Sequence, residues 1–74
     1  MNLLITKSAA EIFGIDRRII GASLQELSAK WSNLRDASCE GVSTIGNGGN
    51  VLDDNGKRIA RISYNGRIWE GAQQ

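Results

Sequence analysis

Two arginines, Arg17 and Arg18, follow Asp16 in the stretch TKSAAEIFGIDRRIIGASL, residues 6–24. Arginine can donate two parallel hydrogen bonds to a guanine edge in the major groove, so adjacent arginines behind a helix-capping residue suit base reading. A second basic set is Lys57, Arg58, Arg61 and Arg67, and no acidic residue falls among residues 57–67. Such a patch can hold phosphates even though the net charge of the chain is only +1. Lys7 adds one more candidate phosphate contact. The competing reading of the 57–67 cations is the solvated face of a hairpin.

Composition removes other chemistry. The chain has no histidine, so the commonest general base and metal ligand is missing. Its one cysteine, Cys39, cannot complete a zinc set or an internal disulfide. Cys39 is expected to be a small buried filler rather than a reactive thiol. The glycine-rich GNGGN at 46–50 fits neither a P-loop nor a dinucleotide fingerprint. The expectation is a protein that is not an enzyme, with no catalytic residues, no metal and no cofactor.

With 74 residues the chain makes one small domain, and 41% hydrophobic with 23% charged residues is ordinary for a globular protein. There is no apolar run of ~18 residues, and the start, MNLLITKSAAE, shows no secretory pattern. A lone cysteine fits a reducing compartment, so a cytoplasmic location away from membranes is expected.

The elements that must position the arginines divide near Cys39. Leu3-Leu4-Ile5 reads as a short strand within residues 2–6. Ser8 and Glu11 have capping-box spacing, so a helix can begin at Ser8 and end at Gly14. Asp16 can cap a second helix running from Arg17 to about Arg35. Ile20, Leu24, Leu27, Trp31 and Leu34 then form a 4-3-4-3 apolar stripe. The stripe can pack on this chain's own sheet, the favoured reading, or meet a partner helix. The whole region reads equally as one long kinked helix, since a glycine inside a helix costs only ~1 kcal/mol.

After Gly41 the pattern turns to β. Asn-Gly occurs at 47–48, 55–56 and 65–66, the strongest short hairpin signal. Candidate strands lie at Val42 to Ile45, near Val51-Leu52, and on both sides of Asn65-Gly66. Taking Asn65-Gly66 as a two-residue loop pairs Ile62 with Trp69 and Arg61 with Glu70. Trp69 then joins Ala60, Ile62 and Tyr64 on the apolar face beneath the helix. The expected fold class is α+β: a helical part at 7–36, a β-meander or hairpin part at 41–70, and a frayed tail at 71–74.

The segment LLITKSAAEIFGIDRRIIGASLQEL resembles the helix-turn-helix of excisionase-like proteins and phage terminase small subunits. Ala9-Ala10-Glu11-Ile12-Phe13-Gly14 matches the first helix and Asp16-Arg17-Arg18-Ile19-Ile20 the capped second one. The resemblance implies a small winged helix-turn-helix that binds DNA in phage packaging, excision or transcription control. Arg17 and Arg18 would read bases, while Lys7, Lys57, Arg58 and Arg67 would hold phosphates. Residues 46–50 and the Lys57-Arg58 turn would supply the wing.

The rival expectation is a non-enzymatic protein-interaction module, such as a small phage inhibitor of a host complex. Arg17, Arg18, Arg58 and Arg61 would then contact a host or phage protein. An uncovered sheet edge or the helical stripe would make a homodimer.

Overall fold

Strands are spread along the whole chain, in a computed structural model that describes residues 1–70. The tail at 71–74, expected to fray, lies outside the described residues. The order is β1 (Asn2–Leu4), α1 (Lys7–Phe13), β2 (Arg18–Ile20), α2 (Leu24–Ser38), α3 (Val42–Ile45), β3 (Gly49–Leu52), β4 (Arg58–Ile62) and β5 (Ile68–Glu70). The fold is α+β with a five-stranded sheet in the order β2-β1-β3-β4-β5, antiparallel throughout. It is not a helical half followed by a hairpin half.

The first correction concerns the helix-turn-helix. Residues 18–20 are a strand, so Arg17 and Arg18 do not begin a recognition helix. Helix α1 does end at Gly14, which takes a left-handed φ of 72°. The chain then returns to pair with β1, Leu3 opposite Ile19. The β-branched pair Ile19-Ile20 suits this extended edge. The winged arrangement goes with the recognition helix, because β1 and β2 make the meander part of a larger sheet.

Helix starts lie elsewhere than expected. Thr6, not Ser8, caps α1, its side chain accepting from the Ala9 N–H at 3.1 Å. Helix α2 starts at Leu24 rather than Arg17, and a capping box at Ser23-Leu24-Gln25-Glu26 sets that boundary. The Glu26 N–H donates to Ser23 Oγ at 3.1 Å, and the Glu26 carboxylate accepts from the Ala22 N–H at 3.1 Å. Val42 to Ile45, expected as a strand, is the short helix α3. Cys39 is exposed, not a buried filler, and caps α2 in the left-handed region at φ 57°.

One core holds the layers together. Leu3, Ile19, Val51, Ala60 and Ile62 from the sheet meet Ala9 and Ala10 of α1, Leu27 and Trp31 of α2, and Ile45 of α3. Burying each large aliphatic side chain contributes ~1.5–3 kcal/mol. The stripe on α2 packs on the chain's own sheet as favoured, through Leu27 and Trp31 with Leu24 and Leu34 at its margin. Ile20 is not part of it; it sits on β2 and is 67% exposed.

The strand that closes the sheet needs glycine. A Cβ on Gly48 would collide with the Ile62 carbonyl, and one on Gly49 with the Leu4 carbonyl. GNGGN therefore brings β3 between β1 and β4, a packing role rather than a wing.

Candidate nucleic-acid interface

The hairpin β4–β5 decides where the candidate site lies. Ser63 N–H donates to the Arg67 carbonyl at 2.9 Å, and Gly66 N–H to the Ser63 carbonyl at 2.9 Å. Gly66 has φ 86°, and Asn65 does not have positive φ. A two-residue type I′ loop needs positive φ at both central residues, so the Asn-Gly pair here belongs to a three-residue loop with a glycine bulge. The 53–57 turn repeats the geometry. Asp53 N–H donates to the Lys57 carbonyl at 2.9 Å, and Gly56 has φ 83°.

The longer loop shifts the register by one residue. Ile62 faces Ile68, Arg61 faces Trp69 and Ala60 faces Glu70. A slip of one residue moves every side chain of a strand to the opposite face. Trp69 is therefore not beneath the helices beside Ile62, as expected, and Arg61 is not opposite Glu70. Trp69 lies on the other face of the sheet beside Arg61.

That other face carries the candidate site. All three helices place their buried residues in the single core described above. Among the described residues no strand residue on the opposite face is buried: Arg18, Ile20 and Asn50 are exposed, and Asn2, Leu4, Leu52, Arg58, Arg61 and Trp69 are half-buried. Register aligns one row across all five strands, Arg18–Leu4–Asn50–Arg61–Trp69. Its four interstrand gaps of ~4.8 Å give a platform about 19 Å long. Arg58 stands opposite Leu52, across the bulge at Val51/Leu52. Arg67, two residues before Trp69, lays its guanidinium 4.3 Å from the Trp69 ring centroid.

The charges are segregated. Arg18, Arg58, Arg61 and Arg67 share the open face, and among the described residues no strand residue placed there is acidic. Asp53 and Asp54 sit in the β3–β4 turn. The near-neutral net charge thus conceals a strongly basic face. Arg61 Nε is buried and makes no hydrogen bond among the described residues. An orphaned buried donor of that kind is uncommon and calls for a functional account.

Not all sequence candidates meet here. Arg17 is exposed, but its Nε donates to the Ile5 carbonyl at 3.0 Å and clasps the main chain between β1 and β2. Lys7 is exposed at the start of α1, and Lys57 is exposed in the turn before β4. Sequence reasoning missed Trp69 and Asn50 as surface residues. The usable signal was the repeated pattern of a polar residue two or three positions before Asn-Gly, with a basic residue behind, in DDNGK and SYNGR. It marks the three-residue loop and hence the register.

Helix α2 fixes the hairpin from the core side. Trp31 Nε1 and Arg35 Nη1 both donate to the Tyr64 carbonyl, at 2.9 and 2.7 Å. Ser28 Oγ donates to the Gly66 carbonyl at 2.5 Å. Tyr64 Oη donates to the Glu40 carbonyl at 2.6 Å.

A second surface flanks β2. Ile12, Ile15 and Ile20 are exposed, and shallow apolar clefts run from Ile15, Ile19 and Ile20 past Leu34 to Ile12 and Phe13. Strand β2 is a sheet edge. Arg17 and Gly21 bond across to Ile5 and Met1, so the main-chain groups of Arg18 and Ile20 point outward. Lys30 Nζ donates to the Ile20 carbonyl at 2.7 Å.

Among the described residues, no group of three or more potential ligands could hold a metal ion, and no helix is long and apolar enough to cross a membrane. No family model, curated protein or solved structure matches the chain.

Proposed function

We propose that this protein binds nucleic acid, using the open sheet face rather than a helix. The carrying observation is that Arg18, Arg58, Arg61 and Arg67 share one face with Trp69. Guanidinium groups pair with phosphate oxygens in a bidentate fashion. A row of them tracks a backbone without reading sequence. Binding therefore depends on salt more than on sequence. The test is fluorescence anisotropy with labelled oligonucleotides at low and moderate salt. The double variant Arg18→Ala/Arg61→Ala should fold and bind weakly. Equal affinity of parent and variant would overturn the reading.

The exposed isoleucines and the free edge of β2 favour a second reading, a protein-interaction module. Its simplest form is a homodimer joined along β2. Sedimentation of the parent and of Ile20→Glu tests it: a dimer that becomes monomeric supports this reading, and a monomeric parent removes its homodimer form.

A further inference from the structure

We propose that Trp69, braced by Arg67 and flanked by Arg61, is a base-stacking subsite, and that the ligand class is single-stranded nucleic acid. The proposal rests on the nucleic-acid reading above and narrows it.

The geometry favours unpaired bases. Trp69 is half-buried on the open sheet face, so the residue is held by its neighbours and keeps part of its surface in solvent. Arg67 sits 4.3 Å from its centroid, a cation–π contact that positions the ring before any ligand arrives. Arg61 lies opposite it on β4. An aromatic ring beside guanidinium groups is the pairing that single strands use, one stacking a base and the others neutralising phosphates. A duplex keeps its bases stacked on one another, and reading it requires an element that enters a groove. Among the described residues the open face is a five-stranded sheet about 19 Å across, wider than the helix or two-stranded ribbon that a major groove of about 12 Å admits, and each helix packs its buried residues into the core on the other side.

The charge arrangement agrees. The row from Arg18 to Trp69 runs across the strands for about 19 Å, with Leu4 and Asn50 between the basic ends. A flexible single strand can lie along it, and Asn50 can donate to a base edge or a sugar.

The experiment uses the 74-residue chain and oligothymidine, oligouridine, oligodeoxyuridine and duplex DNA of about twelve nucleotides or base pairs. Binding is read by anisotropy and by tryptophan fluorescence. Trp31 is fully buried, so quenching by a ligand reports Trp69. Single strands should bind more tightly than duplex and quench the emission. Trp69→Ala should weaken single-strand binding ~5- to 150-fold, the span measured for one base–aromatic stack. Trp69→Phe should keep most of the affinity, and a melting curve confirms that each variant is folded. Oligodeoxyuridine, which differs from oligouridine at the 2′-hydroxyl alone, identifies the sugar. Duplex bound as tightly as single strand, with Trp69→Ala changing neither, overturns this proposal alone. No binding to any of the four overturns it together with the reading beneath it.

Discussion

The indole nitrogen of Trp31 donates to the main-chain carbonyl of Tyr64 at 2.9 Å, and Arg35, one turn further along α2, donates to the same oxygen at 2.7 Å. Two adjacent turns of the helix thus grip the loop that leads into Arg67 and, on β5, Trp69. The open face is ordered by residues on the opposite side of the sheet. Trp31 is fully buried and meets Phe13 edge-on at 5.6 Å between ring centroids.

The two tryptophans should therefore behave differently. Trp31→Ala should cost ~3–5 kcal/mol and unfold much of the population. Trp69→Ala should cost less, about 1–2 kcal/mol, because it loses the cation–π contact with Arg67 and the burial of a half-buried ring only. Urea denaturation midpoints decide it. Equal losses would mean that Trp69 is a core residue.

Glycines 48 and 49 are expected to be intolerant for a steric reason. Gly49→Ala places a Cβ against the Leu4 carbonyl and should prevent β1 and β3 from pairing. Gly56→Ala meets no atom within 4 Å and carries only the left-handed backbone penalty at φ 83°, about 1–2 kcal/mol. Circular dichroism of the two variants should show a native spectrum for the second alone.

The start of α2 should be sensitive to acid. Glu26 is held below its ordinary 4.5, first by the hydrogen bond from the Ala22 N–H and then by Lys30. A depressed folded-state value means that the carboxylate stabilises the fold above its unfolded value. That contribution is lost as pH falls through the folded value. Glu26→Gln should flatten the acid limb of a melting-temperature profile below about pH 4.5. Ser23→Ala should cost ~1 kcal/mol at all pH values. An acid limb unchanged in Glu26→Gln would show that another carboxylate governs it.

Salt dependence should separate the arginines. If the four on the open face each neutralise one phosphate, the slope of log affinity against log salt is about −3 for a single strand. Arg18→Ala should reduce that slope by roughly 0.7. Arg17→Ala, which removes a main-chain clasp at Ile5, should leave it unchanged. A titration in which Arg17→Ala flattens the slope as much as Arg18→Ala would contradict the placement of the site.

Local rules in the sequence determined a good deal. Leu3-Leu4-Ile5 marked a strand by its apolar β-forming run, Gly14 ended α1, and Leu27 and Trp31 marked the face of α2 that packs on the sheet. The Asn-Gly pairs at 55–56 and 65–66 marked real turns, because glycine takes positive φ at little cost. Ser23 and Glu26 also carried a readable start for α2, but Asp16-Arg17 offered a competing one. Nothing local ranks two plausible caps. Tertiary structure decided that competition: Ile19 gains more by pairing opposite Leu3 and entering the core than by extending a helix. It also decided the site. Whether Trp69 lies under the helices or on the open face depends on one residue of register, and that register is held by α2 gripping the Tyr64 and Gly66 carbonyls. Contacts between residues 28–35 and 64–66 leave no periodic mark in either segment, so the basic and aromatic face emerges only when the chain folds.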